Sequence, residues 1–166
     1  PRRNTGAFVG GNVRRRFIVF VGAALATALA GAPAPHAAAD ELVKFTVVDD
    51  NEIRESLTGK PGNPDEGRKI AANRGLGNCL ACHFMPIGED LQGNVGPELK
   101  GVASRLKESE IRLRIVNAKL LNPQTAMPAF YRVDGLYRVR NDLVGKRILT
   151  AEQVENVVAY MMTLKE

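Results

Sequence analysis

The longest apolar run in this chain is Phe17 to Ala32, and after it apolar positions come mostly as short clusters at helical spacing. The stretch 40–62 is mixed in polarity, with a brief alternation over Phe45 to Val48 and Gly59-Lys60-Pro61-Gly62 at its end. It reads as an N-terminal extension that packs on the domain or on a partner. Asn63-Pro64-Asp65-Glu66 sets a capping residue before proline at the first helical position, with Glu three residues after the cap. A helix is predicted from there to about Arg74, with Ile70 and Ala71 on its apolar side and Gly67 allowing another helix to approach. Gly75 and Gly77 break it. A second helix is predicted near Ser104 to Ala118, where Leu106, Ile111, Leu113, Ile115 and Val116 form a mixed apolar stripe and Arg105, Lys107, Arg112 and Arg114 stay solvated. The last helix is the clearest: Thr150 and Gln153 make a capping box, and Val154, Val157, Val158, Met161 and Met162 recur at helical spacing. With no long alternating strand pattern and no internal repeat, the expected fold is all-α.

The first apolar run changes the meaning of the charge. Arg14, Arg15 and Arg16 precede it, and Ala37-Ala38-Ala39 follows it with the small residues that a signal peptidase reads. Residues 1–39 are therefore expected to be a signal peptide cleaved before Asp40. The run is short of the roughly 20 residues that span a bilayer, so no retained membrane span is expected. The chain opens on Pro1, and Val13 is the expected start, residues 1–12 being a possible upstream extension. The leader holds five arginines and no acid, so 18 of the 23 basic residues remain to face all 18 acidic ones. The basic excess belongs to targeting, and nucleic-acid binding, which wants that excess in the folded part, finds no support. The roughly 127 residues that remain suit one domain, written as 63–166 with 40–62 as its extension.

Cys79-Leu80-Ala81-Cys82-His83 uses both cysteines of the chain and sets a histidine directly after the second. That spacing reads as a c-type haem attachment site, because one helical turn can present both sulfurs to one porphyrin edge with His83 under the iron. The alternatives are a redox dithiol, which wants a strand and βαβ context not seen here, and zinc, which needs a fourth ligand. His36, the only other histidine, is expected to leave with the leader. Attachment of haem outside the cytoplasm to an unfolded chain favours the general secretory route over the twin-arginine one that Arg15-Arg16-Phe17 hints at. The open side of the iron can take Met, Lys, Tyr or water. Met85 lies too near His83 to cross the ring, and Met161 and Met162 sit on an amphipathic helix, where methionine fills cores by default. Met127 stands in a turn-rich segment stiffened by Pro123 and Pro128 and is the candidate distal ligand; the alternative is a loop methionine covering the core. Gly96-Pro97-Glu98-Leu99 offers a proline carbonyl to the second ring nitrogen of His83, or is simply a turn.

The haem motif, the Gly-Pro-x-Leu segment, the Met-Pro loop and the terminal helix, in that order, resemble the monohaem class I cytochromes c. The similarity covers residues 63–166. Gly93 to Leu99, Gly101 to Arg105 and Met127 to Val133 are closer still to the SoxX family, the small cytochrome subunits of SoxAX complexes. The resemblance implies a class I cytochrome c-like helical domain around one haem c, bound covalently through Cys79 and Cys82, with His83 proximal and Met127 distal. It also implies a periplasmic subunit paired with a SoxA-type cytochrome, working on thiosulfate and the SoxYZ carrier and passing electrons to a downstream acceptor cytochrome. No catalytic residue is expected in this chain, since both thiols are consumed by haem and none is left to carry sulfur. The extension and the segment Tyr131 to Arg147 are expected either to meet a partner or to be ordinary solvated chain. A free electron shuttle and a five-coordinate haem enzyme are the competing functions.

Overall fold

Asn63 starts the first helix as its sequence asks: its side-chain oxygen accepts the backbone N–H groups of Asp65 at 2.9 Å and Glu66 at 3.3 Å. The computed structural model describes residues 42–166, so the signal peptide, its cleavage site, Val13 and His36 lie outside the described residues. Helix α1 spans Pro64–Ala72, ending two residues before Arg74, because Asn73 turns extended while its N–H still bonds to the carbonyls of Lys69 and Ile70. The anticipated close approach at Gly67 is real: a Cβ there would overlap the Asn156 carbonyl of the last helix. That contact sets α1 directly against α4, Ala151–Met161, whose Thr150–Gln153 capping box forms in both directions. Val154, Val157, Val158 and Met161 are buried on α4, each apolar side chain contributing about 1.5–3 kcal/mol. Met162 caps the helix, half-buried.

The helix expected over Ser104 to Ala118 is two helices. Helix α2 spans only Val102–Arg105, starting after Gly101 at φ +65°, and α3 spans Glu108–Asn117. Leu106 and Lys107 between them are extended, and the Glu110 carboxylate reaches back to accept the Lys107 N–H at 2.8 Å, a restart signal of the capping-box kind. A 3₁₀ turn, Ala118–Leu120, follows α3.

Arg112 corrects the expected solvated face. It is buried, and its guanidinium bonds both carboxylate oxygens of the equally buried Glu155 at 2.9–3.2 Å, the Ile53 carbonyl at 3.0 Å and the side chain of Glu108. Burial opposes the Arg112 charge, but Glu155 and Glu108 outweigh it and hold its pKa above the ordinary arginine value. Glu155 also accepts the Leu57 N–H at 2.9 Å, and Ile53 N–H bonds to the Ser109 carbonyl. Of the two expectations for the extension, residues 51–57 therefore pack on the domain. The alternation over Phe45 to Val48 makes no strand; Val48 pairs with Glu52 in an isolated bridge around the left-handed Asp49 and Asp50. Among the described residues there is no strand, and no helix is long and apolar enough to cross a membrane. The fold is all-α.

Candidate functional site

Asn78, at φ +48°, turns the chain out of α1 into a single 3₁₀ turn, Cys79–Ala81. The N–H groups of Cys82 and His83 both bond to the Cys79 carbonyl, at 3.1 and 2.9 Å, which sets the two thiols and the imidazole on consecutive corners of one turn. Neither cysteine is in a disulfide. Burial pushes the Cys79 thiol up to about 11, away from the thiolate.

Three backbone hydrogen bonds lash the following loop to this turn: Gly93 to Leu80, Gly96 to Cys82 and Leu99 to Phe84, at 2.7–2.9 Å. They deliver the Pro97 carbonyl to 2.7 Å from His83 Nδ1. Since a carbonyl only accepts, Nδ1 carries the proton and Nε2 presents its lone pair. Gly96 is required here, because a Cβ would stand 2.6 Å from Nδ1. Between a turn and a support for His83, the Gly-Pro segment is the support.

His83 faces a crevice made of two cavities of about 390 and 460 Å³, whose shared walls are Cys79, His83, Pro97, Thr125, Met127 and Phe130. Cys82 joins the second cavity, so the structure gathers all four sequence-derived site residues around one space. The 390 Å³ cavity is closed by Ile111 and Ile115 of α3, by Ala118 of the 3₁₀ turn after it, and by Leu149, Val157 and Met161, a mostly apolar wall of the kind that takes a flat hydrophobic cofactor. Met127 lies half-buried on the loop after α3, with its N–H donating to Thr125 Oγ1 at 3.2 Å. Met85 is fully buried in the core and Met161 is buried as expected, though Met161 also borders the crevice. Among the described residues, no three His, Cys, Asp or Glu side chains gather as a metal site. The two thiols, the preset imidazole, the thioether and the apolar walls together fit a covalently held haem.

Sequence reasoning missed part of the wall. Ile111, Ile115 and Ala118 recur at four and three residues and could have been read as one face turned to the crevice. Arg140 and Leu143, in the segment after Tyr131, line the 460 Å³ cavity, and no periodic signal foretells them. Within that segment Tyr131 is buried and its hydroxyl accepts the Val43 N–H at 2.9 Å, whereas Tyr137 is 90% exposed.

Comparison with known proteins agrees with this geometry. The family model described as "Cytochrome c" matches residues 64–165. The chain is 41% identical to a chain of the crystal structure of SoxXA from P. pantotrophus, with a TM-score of 0.67, over 74% of this chain and 95% of that one. No curated protein matches.

Proposed function

The chain belongs to the cytochrome c family, and from that premise we propose that it is the monohaem, electron-transferring subunit of a SoxAX-type complex. Cys79 and Cys82 hold the haem as thioethers, His83 Nε2 is its proximal ligand and Met127 Sδ its distal ligand. The haem supplies a one-electron iron couple, whose potential a methionine thioether raises. The chain's own work is to bind, orient and tune: the Pro97 carbonyl fixes the His83 tautomer, Gly96 gives the ring room, and the walls of α3 and α4 exclude water. The observation that carries the reading is that His83 and Met127 border the same crevice; with both as ligands the iron would carry an electron and offer no open position to substrate.

Likeness to a chain of SoxXA supports the SoxA-type partner; thiosulfate, the SoxYZ carrier and the acceptor follow from the family resemblance of residues 63–166. The partner is a SoxA-type cytochrome subunit, where a bond forms between the SoxYZ carrier cysteine sulfur and the terminal sulfur of thiosulfate. That coupling releases two electrons and the thiol proton, and the electrons leave through this chain, one at a time, to an acceptor cytochrome. Residues 1–39 are the cleaved leader that brings the chain to the periplasm, 40–62 its extension and 63–166 the haem domain. Co-expression of the full chain with a SoxA-type subunit, under conditions of haem attachment, tests the proposal. The expected result is a stoichiometric complex in which thiosulfate and SoxYZ reduce this chain's haem. Recovery of the holoprotein alone, with no association and no thiosulfate-dependent reduction, would leave a free shuttle instead.

A further inference from the structure

The segment that carries Met127 packs its methionine on the core but makes few hydrogen bonds to the rest of the fold. Over residues 123–128 the backbone donors bond within the segment or to the adjacent Asn122: Gln124 N–H to Asn122 Oδ1, Thr125 N–H to the Asn122 carbonyl, Met127 N–H to Thr125 Oγ1. One hydrogen bond comes from outside. Lys119 Nζ donates to the Thr125 carbonyl at 2.8 Å. Lys119 lies in the 3₁₀ turn that ends α3, and its own N–H is held at 3.2 Å by the side chain of Asn117, which is buried. The backbone of Lys119, a half-buried residue, is thus tied to a buried side chain, and its ammonium is spent on the loop.

We propose that Lys119 is a positioning residue for the distal ligand: it braces the Met127 loop by holding the Thr125 carbonyl. The proposal rests on the reading of Met127 as the ligand. Thr125 joins brace to ligand through one residue, its carbonyl taking the Lys119 proton and its hydroxyl taking the Met127 N–H. A charged donor makes this bond about twice as strong as a neutral one. Pro123 and Pro128 narrow the loop's backbone freedom but do not tie it to anything. Without the brace the loop opens more often, and the thioether gives way more readily to a ligand from solution.

The test is imidazole titration of the oxidised, full-length holoprotein, with the methionine-sulfur-to-iron charge-transfer band as the second readout. Lys119→Met is expected to bind imidazole roughly tenfold more tightly than wild type, the loss that a hydrogen bond to a charged group predicts, and to weaken the band. Lys119→Arg, which keeps a cationic donor, is expected to restore both. Lys119→Gln carries the test if Lys119→Met fails to accumulate. Wild-type imidazole affinity and an intact band in Lys119→Met or Lys119→Gln overturn the brace while leaving the ligand in place. A wild-type protein without the band overturns the ligand assignment, and the brace with it.

Discussion

Glu155→Gln removes the one fully buried carboxylate that faces Arg112. Both side chains are about 3% exposed, and three of the guanidinium's bonds, at 2.9–3.2 Å, go to this group. Glu108, the other anionic partner, has a side chain 57% exposed and so sits where solvent screens it. Breaking a buried pair on one side costs about 3–5 kcal/mol, because the remaining charge is left in the core. Glutamine keeps one oxygen for the Leu57 N–H, and Glu108 keeps some charge near, so the lower end, about 3 kcal/mol, is expected. In a domain of this size that is a fall in Tm of about 10 °C. Urea unfolding of the oxidised holoprotein, followed by far-ultraviolet circular dichroism, measures it. Because Arg112 and Glu155 also hold the Ile53 carbonyl and the Leu57 N–H, limited proteolysis should cut within residues 48–60 sooner in the variant than in wild type. A loss below about 1 kcal/mol, with unchanged proteolysis, would refute the idea that this pair clamps the extension to α3 and α4.

Other consequences follow from single contacts. Gly96→Ala places a methyl against the His83 ring, and the overpacking is expected to cost about 1–3 kcal/mol and to shift the reduction potential, which redox titration and unfolding check together. Met161→Ala should cost about 2–5 kcal/mol of stability while leaving the methionine charge-transfer band intact, since Met161 fills core beside the crevice. Hydrogen bonds from the Ser109 hydroxyl and Arg54 hold the Glu52 carboxyl below the ordinary glutamate value. A carboxylate with a lowered folded pKa adds stability above its unfolded value and loses it as pH falls through the folded one, so Glu52→Gln should flatten the acid limb of the stability profile and leave the neutral plateau's slope unchanged.

What could be read from the residues was what is written locally. The caps at Asn63 and Thr150 are decided within four residues, and the haem motif keeps its donors within one turn, so both were legible. The break at Leu106-Lys107 was equally local, yet the apolar spacing runs on across it and concealed the restart that Glu110 signals. Arg112 was misjudged because its partner Glu155 lies 43 positions away; periodicity places an arginine on a face but does not say what covers that face. Lys119 escaped for a different reason, since its partner is a backbone carbonyl, which every residue has. Met127 emerged by elimination among four methionines, a route open only because the chain carries so few candidate ligands.

The central claim is that His83 and Met127 hold one haem between them. Visible and near-infrared spectra of the oxidised holoprotein and of Met127→Ala, taken side by side with carbon monoxide binding to the reduced forms, test it most directly. The wild type is expected to show the methionine-sulfur charge-transfer band and to bind carbon monoxide poorly, and Met127→Ala to lose the band, bind carbon monoxide readily and have a lower potential. A wild type that lacks the band and takes carbon monoxide freely, or a variant that keeps the band, would contradict the account.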